Sequence, residues 1–314
     1  MNKTAIIFGG SGQDGSYMCK LLLKKNYKII SITRNLKKNL NHRKIKVKKK
    51  IIKKKIDIYN KIQIQRLIIN SKCDEIYFFA GQPSPLKSHN NSFETITSNI
   101  MPIYYILEVL KKSQKKIKFF NTSSCEIFAS SKKKKNEKSK MQPSNPYGLS
   151  KLITFYFTKF YREEYNLKCF SAIFFHHESI LRKKNFLIPK ILDAAKKISL
   201  NKKKKLYLGN INAIKDWGWA PEYIELIYKI MQKKKFDDYV IGTGKSVSIK
   251  YILGYIFKKY NLNWNDFVVI DKKYFRANDI NESRADISKI KYFLKWSPKF
   301  YIKDVINKLI LNEI

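Results

Sequence analysis

The stretch Thr4-Ala5-Ile6-Ile7-Phe8-Gly9-Gly10-Ser11-Gly12-Gln13-Asp14-Gly15 decides the fold. An apolar, strand-like run enters a glycine-rich turn, and a helical pattern through Tyr17–Lys25 follows, with Cys19, Leu22 and Leu23 directed to a core. Gly10, Gly12 and Gly15 have the G-x-G-x-x-G spacing, and Gly9, Gly12 and Gly15 fit a close variant. Taken alone the spacing is weak, and an ordinary glycine-rich turn would satisfy it. Its place between a strand and a helix is what the dinucleotide-binding turn requires: glycines allow close backbone approach, and the helix N-terminus favours a pyrophosphate.

Outward from that turn, strand-like and helical stretches alternate. Lys28–Thr33, Ile51–Ile58, Glu75–Phe79, Lys116–Asn121 and Cys169–Phe175 read as further strands. Ile62–Ile69 and Asn99–Lys112 read as helices, and Asn145-Pro146 starts another, because asparagine caps and proline suits the first turn. This alternation predicts an α/β fold, a doubly wound parallel Rossmann sheet. After residue 170 the pattern becomes irregular. The expected division is therefore 1–170 as the dinucleotide-binding domain and 171–314 as a smaller mixed α/β lobe, some of whose segments return to the first. The basic connection Arg34–Lys50 is expected to be mobile in isolation.

A chain of 314 residues with 44% apolar residues can build a substantial core, which excludes global disorder. No apolar run reaches the roughly 18 residues of a membrane span, and the N-terminus lacks a secretory pattern. Cys19, Cys73, Cys125 and Cys169 are scattered, and read as reduced thiols of a cytoplasmic protein with no metal cluster. The net charge of +41 raises the question of nucleic acid. Lysine is spread over nearly every segment, alongside abundant isoleucine, asparagine, phenylalanine and tyrosine. These residues share AT-rich codons, so mutational bias accounts for the charge without a specific nucleic-acid partner.

The chemistry is concentrated in Ser124-Cys125-Glu126 and Tyr147-Gly148-Leu149-Ser150-Lys151. Tyr147 and Lys151 stand at i and i+4 and share one helix face. An ammonium near the ring stabilises phenolate, so Tyr147 can take a proton from a sugar hydroxyl, and Ser124 can hydrogen-bond the same oxygen. The plain alternatives are a surface pair for Tyr147 and Lys151 and a local backbone cap for Ser124. Tyr-x3-Lys recurs by chance at Tyr255 and Lys259, so context carries the reading. Glu126 adds a base and points toward elimination of water. After the second strand stands Arg34, where a carboxylate would select NAD; Arg34 can pair with a 2′-phosphate, which favours NADP. A solvated surface arginine is the alternative. Asp57 could accept a hydrogen bond from an adenine amine.

The stretches GGSGQDGSYM, TSSCEIF, SNPYGLSK, FYREEYNL, FFHHES, LGNINAIKDWGWAPEY and WSP run through most of the chain. On them it resembles the extended short-chain dehydrogenase/reductases, and within that group the GDP-mannose 4,6-dehydratases. The resemblance implies Ser124, Glu126, Tyr147 and Lys151 as the catalytic set. It implies Gly9, Gly12, Gln13, Asp14, Gly15, Arg34, Asp57, Ile58, Phe79, Ala80, Gln82, His177 and Arg182 around NADP, and Lys190, Lys215, Arg276 and Asp279 near GDP. The implied reaction is C4 oxidation, loss of water across C5–C6 and hydride return to C6, giving GDP-4-keto-6-deoxymannose for polysaccharide synthesis. A GDP-heptose as substrate, or nucleotide-sugar 4-epimerase or reductase activity, is the alternative; the latter needs no base such as Glu126. A homodimer or homotetramer is also implied. His176, Ile180, Pro189 and Lys215 depart from the family's usual asparagine, proline, arginine and arginine, and Glu94 from a common tyrosine. Lysine lacks arginine's bidentate grip on phosphate, so these departures bear on substrate identity.

Overall fold

The computed structural model describes residues 2–36, 40–47, 51–113, 115–202, 204–275 and 280–312. Its elements in chain order begin with β1 (Thr4–Phe8), α1 (Gln13–Lys24), β2 (Lys28–Ile32), α2 (Leu40–Lys44), β3 (Ile51–Lys54), α3 (Lys61–Ser71) and β4 (Glu75–Phe78). They continue with α4 (Pro85–Asn90), α5 (Ser92–Lys112), β5 (Lys118–Ser124), α6 (Pro146–Glu164) and β6 (Cys169–Phe174). Then come β7 (His176–Glu178), α7 (Leu187–Ser199), β8 (Leu206–Leu208), β9 (Ile214–Trp219), α8 (Ala220–Met231) and β10 (Tyr239–Ile241). The last are β11 (Ser246–Ser248), α9 (Ile249–Lys258), β12 (Val268–Ile270), β13 (Glu282–Ser283), α10 (Ser288–Leu294) and α11 (Ile302–Ile310).

The chain forms two compact units: residues 1–128, 140–174 and 220–240 make the first, and 129–139, 175–219 and 241–314 the second. The first holds the sheet, ordered β10-β6-β5-β4-β1-β2-β3, with β1 parallel to both β2 and β4. Its inner strands β1, β4 and β6 are nearly continuous in buried, mostly apolar residues, as a sheet covered on both faces requires. Ile6, Phe8, Ile76, Phe78 and Phe119 of the sheet pack with Ile64 and Leu67 of α3 and Ile103, Ile106 and Leu107 of α5. The expected doubly wound parallel sheet is present.

A buried polar network seats α6, the helix on which the candidate chemistry depends. The Asn121 amide donates to the Thr154 carbonyl (3.1 Å), the Thr158 hydroxyl (3.2 Å) and the Ser171 hydroxyl (3.2 Å), and all four residues are fully buried. Toward the far end, Arg162 grips Asp238 through two hydrogen bonds of 2.9 and 2.6 Å. These bonds favour one register between helix and sheet, although the Asn121 Oδ1 itself is buried without a partner among the described residues.

In the second unit β9 is the hub, antiparallel to β11 and parallel to β13 and β7. Residues 129–139 join it through Lys135, whose N–H donates to the Arg284 carbonyl at 2.8 Å. Ile188, Ile191 and Ala195 of α7, Ile252, Leu253 and Ile256 of α9, and Ile302 and Ile306 of α11 form its core. Among the described residues no helix is long and apolar enough to cross a membrane.

Candidate active site

In the first unit the candidate residues other than Tyr147 and Lys151 lie at the carboxyl ends of five parallel strands. Gly9 to Gly15 follow β1, Arg34 follows β2, and Asp57 and Ile58 follow β3; Phe79, Ala80 and Gln82 follow β4, Ser124 closes β5, and Glu126 comes next. The strand order reverses between β1 and β4, and the crevice outside that switch point is where α/β sheets take up ligands.

The glycine turn is a tight cradle. Gly9 sits at φ +77, and a Cβ there would lie 2.9 Å from Phe79 O. A Cβ on Gly15 would overlap the Gly9 carbonyl oxygen, so the start of α1 closes on the turn only because both positions lack side chains. No side chain caps α1 at Gly12. The residues therefore fit a dinucleotide pyrophosphate at the helix N-terminus. Arg34 is exposed at the end of β2, and Asp57 is exposed with its carboxylate accepting from Tyr59 N at 2.9 Å.

Two residues that sequence reasoning did not single out hold this turn from behind. The basic connection expected to be mobile in isolation carries α2, and His42 and Ile45 there are buried. The Asn41 amide donates to the Ser11 carbonyl at 2.9 Å. His42 Nε2 lies 2.8 Å from the Gly10 carbonyl, and a carbonyl only accepts, so this nitrogen carries the proton. Burial lowers the His42 pKa, which favours the neutral ring.

The four candidate catalytic residues come together between the end of β5 and the first turns of α6. Ser124 is buried, and its hydroxyl accepts from Glu126 N at 3.3 Å. The local cap is thus real, and it starts the single 3-10 turn Cys125–Ile127 that presents Glu126. Asn145 caps α6, its Oδ1 accepting from Gly148 N at 2.8 Å, and Pro146 takes the first helical position as expected. Tyr147 and Lys151 then share a face, the ammonium 5.8 Å from the phenol ring centroid. Lys151 is 4% exposed and donates to the Thr122 carbonyl at 2.9 Å. Burial brings its pKa down to about 8, because a low dielectric disfavours the charged form.

Glu126 is 6% exposed, and its Oε2 accepts from Asn145 Nδ2 at 2.8 Å. That contact spans 19 residues of sequence and was not anticipated; the only signal was the asparagine itself, read as a cap. Gly148 completes the arrangement, since a Cβ there would overlap the Glu126 carbonyl oxygen.

The second unit holds the other candidates. His177 Nδ1 lies 2.9 Å from the Phe175 carbonyl, and the Arg182 guanidinium lies 3.8 Å from the centroid of the Phe186 ring. Lys190 donates to the Tyr207 carbonyl at 2.9 Å and sits 4.9 Å from the Tyr274 ring centroid. Lys215 is buried on β9 opposite Val247 and Ser283. Its neighbour two residues on, Trp217, packs against His176 with ring centroids 4.8 Å apart. Arg276 and Asp279 lie outside the described residues.

Comparison with known proteins agrees with this architecture. A family model described as GDP-mannose 4,6 dehydratase matches residues 6–309. GDP-mannose 4,6 dehydratase 1 of Arabidopsis thaliana is 33% identical over 99% of this chain and 90% of its own length. GDP-mannose 4,6-dehydratase of Vibrio cholerae is 26% identical over 100% of this chain and 94% of its own. Among solved structures, UDP-glucose 4-epimerase of Thermotoga maritima with UDP-glucose aligns with a TM-score of 0.86 at 17% identity, covering 98% of both chains. The dTDP-glucose 4,6-dehydratase of Bacillus anthracis in complex with NAD aligns at 0.84 and 20% identity, over 98% of this chain and 96% of that one.

Proposed function

Because the chain belongs to the GDP-mannose 4,6-dehydratase family of hydro-lyases, we propose that it converts GDP-mannose into GDP-4-keto-6-deoxymannose with NADP as its resident cofactor. The observation that carries the proposal is the Ser124, Glu126, Tyr147 and Lys151 cluster, with Glu126 held by the cap of the helix that bears the tyrosine. Bound NADP supplies the acceptor and store for the hydride.

In the first unit, Gly9, Gly12, Gln13, Asp14 and Gly15 would hold the pyrophosphate and Arg34 the 2′-phosphate. Asp57 and Ile58 would meet the adenine, and Phe79, Ala80 and Gln82 the remainder of the dinucleotide. His177 and Arg182 are the second unit's candidates for the cofactor, and Lys190 and Lys215 its candidates for GDP. The structural neighbour named as an NAD complex supports a nicotinamide cofactor in this fold; the preference for NADP rests on Arg34.

Tyr147 removes the C4 hydroxyl proton, with the Lys151 ammonium stabilising the phenolate and the Ser124 O–H donating to the same sugar oxygen. The resulting ketone acidifies C5–H. Glu126 takes that proton and passes it to the hydroxyl leaving C6, which departs as water; the hydride removed from C4 would then return to C6 as C5 is reprotonated. Substrate and product differ by one water, so no external reductant is consumed. We place the enzyme in the cytoplasm, as a homodimer or homotetramer, feeding deoxysugar and polysaccharide synthesis.

The test is an NMR time course of the purified protein with GDP-mannose and no added reductant. A new C6 methyl doublet with a hydrated C4 ketone supports the reading. No change with NADP present overturns GDP-mannose as substrate and sends the assay to a GDP-heptose, with His176 and Lys215 the residues to revert first.

A further inference from the structure

We infer that Asn145 is a positioning residue that aims Glu126, so that Oε1 is the oxygen that takes the C5 proton; this rests on the dehydratase reading above. Capping alone does not explain an asparagine at this position. Serine, threonine and aspartate all cap helices by accepting from the first-turn N–H groups. Only asparagine combines a capping carbonyl with an NH2 that can donate elsewhere. Both halves of the amide are in use here: Oδ1 accepts from Gly148 N at 2.8 Å, and Nδ2 donates to Glu126 Oε2 at 2.8 Å. Aspartate would set a second anion against Glu126. Serine would retain the cap, but its one oxygen on a shorter side chain replaces the separate acceptor and donor atoms of the amide.

The consequence is an asymmetric carboxylate. Oε2 is tied to the helix cap, while Oε1 makes no hydrogen bond among the described residues. The side chain is 6% exposed and its backbone is fixed by Ser124 on one side and by the close passage of Gly148 on the other. The amide stays neutral at every working pH, so it holds the base without competing for the proton. Asn145 also lies two residues before Tyr147. One side chain therefore sets the distance between the group that acts at C4 and the group that acts at C5, which is the register the two half-reactions must share.

The test compares wild type with Asn145→Ser and Asn145→Asp in the full-length protein. For Asn145→Ser, single-turnover absorbance at 340 nm should still report C4 oxidation. Product formation, and deuterium entry at C5 in D2O, should fall roughly 30-fold, as expected for a lost hydrogen bond to a charged group. Reduced cofactor would then accumulate transiently, a signature that a damaged fold does not produce. The thermal midpoint of the cofactor-free protein should stay near wild type because the cap survives. Crystals of this variant should show the Glu126 carboxylate turned from its present orientation. Asn145→Asp should slow the elimination at least as much. Two results overturn the inference: wild-type elimination in Asn145→Ser, or equal loss of oxidation and elimination with a lowered midpoint, which would leave only the cap. A wild-type protein that leaves GDP-mannose untouched overturns the dehydratase reading itself, and this inference with it.

Discussion

Two of the buried carboxylates, Glu126 in the first unit and Asp216 in the second, are used in opposite ways. Asp216 in the second unit is fully buried, and both of its oxygens accept short bonds. Oδ1 accepts from Thr243 N at 2.8 Å and from the Thr243 hydroxyl at 2.7 Å, and Oδ2 accepts from Gly244 N at 2.8 Å. Glu126 in the first unit is nearly as buried but is held through one oxygen only. A carboxylate with both oxygens engaged is a fastener; here it pins the turn that leads into β11. One that leaves an oxygen without a protein donor keeps that oxygen open to a substrate. Burial alone does not separate the two, because it is the hydrogen-bond inventory that differs.

The largest expected effect comes from removing the basicity of the open carboxylate. Glu126→Gln keeps an oxygen able to accept from Asn145, so the fold and the cap should survive with a near-wild-type thermal midpoint. Turnover should fall by about 10²–10⁴, the usual contribution of a positioned base. C4 oxidation should remain visible at 340 nm. Unchanged turnover would remove Glu126 from the chemistry and collapse the contrast with Asp216.

Lys151 extends the same contrast to a cation. It is buried with one hydrogen bond, to the Thr122 carbonyl, and burial lowers its pKa from 10.5 to about 8. The unfolded chain binds this proton up to the ordinary lysine range, and the folded chain releases it near pH 8. The unfavourable charging is therefore fully present below pH 8 and disappears as pH rises toward 10.5. Lys151→Met should abolish most activity yet stabilise the protein at pH 7 by up to about 3 kcal/mol, less whatever the lost hydrogen bond contributed. The gain in denaturant melts should shrink between pH 8 and 10. A destabilised variant at pH 7 would show that the Thr122 bond outweighs desolvation.

Much of this was legible in the chain because the governing interactions are local. The cap at Asn145, Pro146 in the first turn and the i, i+4 spacing of Tyr147 and Lys151 all lie within seven residues. Boundaries moved where a nearby side chain intervened. The third strand stops at Lys54 rather than running to Ile58, and the Asp57 carboxylate folds the next residues into a turn by accepting from Tyr59 N. Helix α5 begins at Ser92 rather than Asn99, with the Thr95 hydroxyl donating to the Asn91 carbonyl at 2.7 Å. What was not legible depends on the chain returning to itself. His42 reaches Gly10 across 32 residues and Asn145 reaches Glu126 across 19. No spacing rule announces either, and a basic segment such as the one carrying His42 looks unstructured by composition.

The smallest expected effect tests the fastener. Asp216→Asn keeps the shape, but its NH2 must face one of three donors, so one N–H or O–H loses its partner. A loss of about 1–3 kcal/mol of stability at pH 7.5 is expected, with turnover per folded molecule preserved if the substitution stays local. The pH dependence identifies the cause. Burial raises the Asp216 pKa from 3.8 to about 6, against the pull of its three hydrogen bonds. The folded chain therefore takes up this proton near pH 6 while the unfolded chain waits until about 3.8. The stability that follows is fully present below 3.8 and is lost as pH rises through 6, and the asparagine variant has no such dependence. Melts of the two proteins should diverge further in favour of wild type as pH falls from 6.5 to 4, by up to about 2 kcal/mol. A constant difference across that window would mean that the hydrogen bonds keep Asp216 ionised throughout, and that a carboxylate bound through both oxygens in this turn is fastened without any titration at all.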